Sequence, residues 1–232
     1  MSVFFQRRGK APALAKKASD YAIGESVFLN MNGTPAEFLI VHQGIPDATL
    51  YDASCDGMWL LKKTVCANDV QYGDNNCDFE SSNVRVELDK YLPTFDASVQ
   101  NLIKQVKIPY HDGPGATGSV ASGANGLSTK LFLLSGYEVG WTTANGAFPI
   151  DGAVLDYFKG CAASDSKRSA YYDNGTEAGW WLRSTVTNSY KSAWDTYGGD
   201  PWNDNFNTTC AIRPALILPH DVKFDPDTNF IL

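Results

Sequence analysis

Two apolar segments, each carrying an arginine, constrain this chain more than any other feature: Gly179-Trp-Trp-Leu-Arg-Ser184 and Ala211-Ile-Arg-Pro-Ala-Leu-Ile-Leu218. Trp180, Trp181 and Leu182 offer the large apolar area that suits a core strand. A guanidinium in such a strand has to meet carboxylate or carbonyl oxygens, which assigns structural roles to Arg183 and Arg213. The stretch between the two segments, Asn188 to Asn207, contains no aliphatic residue larger than alanine. It is expected to be pushed out of the core that its flanks build.

The rest of the chain reads as short strands, short helices and turns. Ser26-Val-Phe-Leu-Asn30 and Glu37-Phe-Leu-Ile-Val-His42 flank an Asn32-Gly33 pair, a strong hairpin signal. Met58-Trp-Leu-Leu-Lys62 is expected to join the same sheet. One helix should begin after Ser81-Ser82, stop at Pro93 and turn Val84, Leu88, Tyr91 and Leu92 toward the sheet. A second should run from Ala97 to Ile103 with Asp96 as N-cap, and a third short one from Asp151 to Phe158. Gly113 to Gly126 reads as plain connection. Charged residues are only 19% of the chain and aromatics 12%, a balance that favours a compact, loop-rich fold over a helical bundle. The expected class is α+β, with short antiparallel strands, two or three short helices and long loops. Residues 1–20 are set apart as a basic N-terminal arm or tether, because Arg7, Arg8, Lys10, Lys16 and Lys17 alternate with small residues. Residues 21–232 form one domain.

Composition also excludes functions. A net charge of −7 opposes binding to phosphate backbones, so nucleic acid is not an expected partner. No apolar run is long enough to span a bilayer, which removes membrane insertion. The N-terminus does not resemble a secretory signal, so synthesis in the cytoplasm is expected. Cys55, Cys66, Cys77, Cys161 and Cys210 lack metal-ligand spacing and read as reduced, buried thiols. His42, His111 and His220 are too scattered to announce a zinc site or a triad.

The polar, aromatic stretch is the candidate site. Tyr, Trp, Ser, Gly and Asn are the residues that binding loops favour, because rigid aromatics give contact area at low entropic cost and small polar groups adapt their hydrogen bonds. Ala193-Trp194 fits a strand whose tryptophan points inward, which leaves Asp195 and Tyr197 on the outer face. The residues assigned to ligand binding are Asn188, Tyr190, Asp195, Tyr197, Asp200, Trp202, Asn203, Asn205 and Asn207, and no residue is assigned a catalytic role.

Taken as a set, Trp59-Leu-Leu, Leu133-Leu-Ser-Gly-Tyr-Glu-Val-Gly-Trp141, Gly179-Trp-Trp-Leu-Arg-Ser184 and Ile212-Arg-Pro-Ala-Leu216 resemble a bacterial and phage domain family. That family is related to the C-type-lectin-like variable proteins of diversity-generating retroelements. The resemblance covers about Ala22 to Pro219 and implies a C-type-lectin-like fold, with the two arginine-bearing strands central and the residues between them forming a variable binding face. It further implies a receptor- or ligand-binding protein of a phage tail or particle surface. A host cell-surface protein or glycan would be its ligand, virion or tail proteins would hold its N-terminal arm, and a trimer would follow by analogy with phage fibres. Formylglycine-generating enzymes share the fold superfamily, but their reactive cysteine positions are occupied here by Pro214 and Thr209, so that oxidase chemistry is not expected. Two alternatives stand beside the binding reading. One is a structural decoration protein of the virion. The other is a calcium-dependent lectin, suggested by Trp202-Asn203-Asp204 and by the Asp69, Asp74, Asp78 cluster, although no cofactor is assigned.

Overall fold

The computed structural model describes residues 14–66, 69–75, 77–112, 118–142, 149–186 and 192–232, with Ser192 to Asp195 described by backbone alone. In chain order the strands are β1 (Lys16–Lys17), β2 (Ser26–Met31), β3 (Thr34–Gln43), β4 (Met58–Lys62) and β5 (Val70–Gln71). Helices α1 (Asn83–Tyr91) and α2 (Ala97–Leu102) come next, before β6 (Val106–Ile108), β7 (Tyr110–Asp112), β8 (Ser119–Ala121) and β9 (Leu127–Thr129). The last part holds β10 (Ala170–Tyr171), β11 (Glu177–Ala178), β12 (Trp180–Thr185), β13 (Ser192–Tyr197), β14 (Asp200–Asn205), β15 (Thr209–Cys210), β16 (Ala215–Leu218) and β17 (Lys223–Phe224). The molecule is α+β, dominated by short strands that pair antiparallel in every sheet.

The main sheet has the order β16-β4-β3-β2. Asn32 and Gly33 take positive φ angles of 51° and 71°, the pair that a tight two-residue turn between right-twisted strands requires. Every residue of β4 and of β16 is buried, which fits their unbroken apolar character, since strands covered on both faces show no alternation. Trp59 sits at the centre of this core. Its indole N–H donates to the carbonyls of Gly44 and Cys55, and its ring meets Tyr51 and Phe132 edge-on at 5.6 and 5.5 Å.

Two of the three expected helices form where their local signals place them. Ser82 caps α1 by accepting from the Arg85 N–H at 3.1 Å, and Val84 and Leu88 are buried while Tyr91 and Leu92 pack at the margin. Asp96 occupies the N-cap position of α2, but its side chain makes no capping bond; its carboxylate accepts from the Asn30 amide, tying the helix to β2. The third helix does not form. Only a single 3-10 turn, Asp156–Phe158, lies in that stretch, because the Asp151 carbonyl accepts from Arg183 and the Leu155 N–H donates to the Glu138 carbonyl, so the first helical bond between them is not made. Part of the expected plain connection from Gly113 to Gly126 is strand β8, paired with β7.

Among residues 1–20, Lys16 to Asp20 are part of the folded body rather than of a free arm. β1 pairs with β17, the Ala18 N–H donates to the Val222 carbonyl, and Ala18 is fully buried. The lysine charges hide this from the sequence, because the backbone makes the contact while Lys16 stays at the surface, paired with Glu25. Arg7, Arg8 and Lys10 lie outside the described residues.

A second sheet, β12-β13-β14, is joined to the first through the Leu131–Leu134 segment. Phe132 exchanges hydrogen bonds with Ala215 of β16, and the Leu134 carbonyl accepts from the Arg183 N–H of β12. The other arginine-bearing segment closes on β12 directly: Trp181 N–H donates to the Ala211 carbonyl, and Ala211 N–H to that of Gly179. Both tryptophans of β12 are fully buried.

Candidate functional site

Arg183 fixes β12 from inside. Its guanidinium bridges both carboxylate oxygens of Glu138 at 2.6 and 2.7 Å and donates to the carbonyls of Leu133, Pro109 and Asp151, with both charged side chains completely out of water. Burial alone would depress this guanidinium; Glu138 reverses the shift and holds it above its ordinary value. Arg213 has no carboxylate among its described partners. It donates to the Lys62 and Lys63 carbonyls and lies 5.1 Å over the Trp180 ring, and burial lowers it to about 10.

From this frame the β13-β14 hairpin projects. Gly198 and Gly199 form its two-residue turn with φ angles of 59° and 81°. Directly opposed residues of an antiparallel pair share a face. Tyr197 opposes Asp200, Asp195 opposes Trp202 and Ala193 opposes Asp204, so these six positions belong to one face; Thr196, Pro201, Trp194 and Asn203 belong to the other. β14 is the outer strand of its sheet, and Pro201 stands in it. The residues flanking a two-residue turn form a hydrogen-bonded pair, so the next pair, Thr196 and Pro201, points its backbone groups outward, where a proline costs the ladder no bond.

The hairpin tip is clamped by Arg168, a residue that sequence reasoning passed over. Its side chain is fully buried and donates to the carbonyls of Val139, Ala162, Ala163 and Gly199, while its own carbonyl accepts from Trp180 Nε1 and Thr196 Oγ1. No apolar pattern marks it, since it closes a single 3-10 turn, Ser166–Arg168, and its guanidinium donates to backbone carbonyls.

The first face of the hairpin forms one wall of a cleft of about 520 Å³. Tyr197, Asp200, Trp202 and Asp204 line it from the hairpin, Tyr172 and Glu177 from the β10-β11 hairpin, Asp69 from the approach to β5, and Thr208 to Cys210 from β15 and the residue before it. Tyr197 and Trp202 are each 61% exposed, far from the burial expected of large aromatics. The Tyr172 hydroxyl donates to the Asp69 carboxylate, and burial, then Asp69, pushes this phenol up to about 12. Thr208 Oγ1 donates to Asp204 at 3.2 Å. Among the described residues, the lining holds four carboxylates and neither lysine, arginine nor histidine.

The expected site residues are thus divided. Tyr197, Asp200 and Trp202 come together at the cleft. Asn203 and Asn205 are exposed but belong to the opposite face, and Asn207 is exposed in the turn after β14. The grouping by residue type ignored strand parity, which separates Asn203 from Trp202. Asp195 pairs with Trp202 along the backbone, its side chain lying outside the described residues, as do that of Trp194 and the whole of Asn188 and Tyr190. Tyr172 and Glu177 were not foreseen, and Asp69 and Asp204 enter the sequence reading only as calcium ligands, not as part of this site. Parity along β14 would have found Asp204; nothing local points to the other three.

Among the described residues, no group of three or more His, Cys, Asp or Glu side chains is arranged to hold a metal ion. Asp74 accepts from Asn83, Asp78 from Ser81 and Asp69 from Tyr172. Burial raises the thiols of Cys55 and Cys77 to about 12 and of Cys66 to about 11, and Cys66 and Cys77 form no disulfide. No helix of the described residues is long and apolar enough to cross a membrane.

A family model described as a domain of unknown function, DUF6273, matches residues 56–220. The chain belongs to this family. The DUF6273 segment runs from the residue before Gly57 and β4 to His220, just past β16, and it contains every described residue that lines the cleft. The β2-β3 hairpin and the β1-β17 closure lie outside it. No curated protein and no solved structure matches the chain.

Proposed function

We propose that this DUF6273 chain is a non-enzymatic binding module of C-type-lectin-like fold, which grips its ligand in the cleft beside the β13-β14 hairpin. One observation carries the reading: Tyr197 and Trp202, both largely exposed, stand on a single face of a hairpin anchored by buried arginines, and wall a cleft ringed by polar groups. Exposing two large aromatics gains nothing for folding, whereas rigid aromatic anchors in a concave site carry most of the energy of recognition. The lining offers no imidazole to activate the Cys210 thiol or the threonine hydroxyls, which supports binding without covalent chemistry.

The two arginine-bearing segments bond to each other through Trp181, Gly179 and Ala211, in keeping with the central frame that the resemblance implies. On that resemblance, the module works at the surface of a phage tail or particle and its partner is a host surface molecule. The test is a screen of glycan arrays and bacterial cell surfaces with the full chain, followed by titration of the ligand found. Trp202→Ala and Tyr197→Ala should each weaken binding by about 2 kcal/mol or more while leaving the far-ultraviolet spectrum unchanged. Normal binding by both variants would refute the assignment of the cleft.

A further inference from the structure

We infer that the cleft recognises an organic cation, the ammonium or guanidinium head of a lysine or arginine on an exposed segment of a partner protein. The inference rests on the cleft being the ligand site, and it names the chemistry of the ligand.

Four carboxylates, those of Asp69, Glu177, Asp200 and Asp204, surround one opening with no basic side chain among the lining residues. Tyr172 and Thr208 each give one hydrogen bond to this set, to Asp69 and Asp204, which leaves most of the carboxylate lone pairs available. Among the described residues, neither Glu177 nor Asp200 belongs to an ion pair, unlike Glu25, Glu37, Glu87 and Asp89 elsewhere on the surface. Closing such a site over a neutral sugar would desolvate the carboxylates without offsetting their mutual repulsion, and an anion would add to it. A cation offsets it.

The aromatic component points the same way. The exposed rings of Tyr197 and Trp202 present electron-rich faces beside these charges, the arrangement in which an alkylammonium or guanidinium gains from both at once. A cleft of about 520 Å³ is larger than one such side chain, so residues flanking the cation would also be held, which favours a peptide segment over a small free amine.

The experiment is calorimetric titration of the full chain with capped penta-lysine at low salt, beside the same peptide fully acetylated on its side chains. The unmodified peptide should bind and the acetylated one should not. Glu177→Gln, Asp200→Asn and Asp204→Asn combined should weaken binding roughly tenfold or more, since charge and ring contacts act together at this site. Neutralising three exposed carboxylates outside the cleft, Asp20, Asp89 and Asp221, removes the same net charge and should change affinity by less than about twofold, as screened surface charges do. If the triple cleft variant fails to fold, Asp200→Asn alone, at an exposed position, gives the same comparison. Equal binding of the acetylated peptide, equal effects of the two triple variants, or no binding of penta-lysine would overturn the inference. The two readings separate on the ligand found by the surface screen. If Trp202→Ala abolishes its capture while the triple cleft variant does not, the cleft stands and its cation preference falls; if Trp202→Ala captures it normally, the cleft itself falls.

Discussion

Arg183 and Arg213 both carry a guanidinium out of water, and they differ in what compensates it. Arg183 is locked to Glu138 with two short bonds, so removing the carboxylate leaves a buried guanidinium without its ion-pair partner. Glu138→Leu should therefore cost about 3–5 kcal/mol in urea denaturation, the usual penalty for breaking one half of a buried pair. Arg213→Met should cost less, because it removes the charge together with its hydrogen bonds to two carbonyls; equal losses would contradict this division. Asp151 belongs to the same buried group. Burial pushes its carboxyl up to about 6, with Arg183 and the Ser184 hydroxyl pulling it back. An unfolded aspartate ionises near pH ~4, so between there and about 6 the folded chain keeps a proton that the unfolded chain has released. Stability should consequently fall as the pH rises through that window, by on the order of 2–3 kcal/mol, and Asp151→Asn should flatten the profile. A denaturation series across this range that shows the same slope in both proteins would count against it.

At the scale of elements, the two glycines of the β13-β14 turn make a contrast that stability measurements can read. Both have positive φ, but a Cβ on Gly198 would meet nothing closer than the Glu177 carboxylate at 3.9 Å, whereas one on Gly199 would lie 2.2 Å from the Asp165 carbonyl oxygen. Gly198→Asn should be tolerated to within about 1 kcal/mol, since asparagine accepts this backbone region. Gly199→Ala should cost more than about 2 kcal/mol and displace the hairpin from Asp165, lowering ligand affinity as well. Similar melting temperatures for the two variants would show that the turn is not held as described. The elements that local rules govern were readable in the chain: the Asn32-Gly33 hairpin, the capped start of α1 and the core strand of Trp180 and Trp181. The cleft was readable only on its hairpin side. Tyr172 and Asp69 meet across 103 positions, and no periodicity of either segment encodes that encounter.

For the whole molecule, the decisive feature is closure of the chain ends on each other. β1 pairs with β17, Phe28 stacks on Phe230 at 5.2 Å, and Tyr21 donates to Asn229. Charge patterning misread the first of these contacts, because lysines that mark a solvated tail in sequence also serve at the edge of a strand whose backbone does the bonding. A chain beginning at Tyr21 should melt several degrees lower than one beginning at Lys16, as loss of a buried alanine and a short ladder predicts. Indistinguishable melting curves would return residues 16–20 to the tail.

The placement of Pro201 has a consequence for solubility. A hairpin that holds two bare aromatic rings out to solvent invites a neighbouring chain to add itself as a further strand and polymerise. At the first outward-facing position of β14 the intruder would find no N–H donor, and the growing ladder would break beside the exposed rings of Tyr197 and Trp202. The hairpin can thus hold both rings in solvent without offering its own copies an unbroken edge to extend.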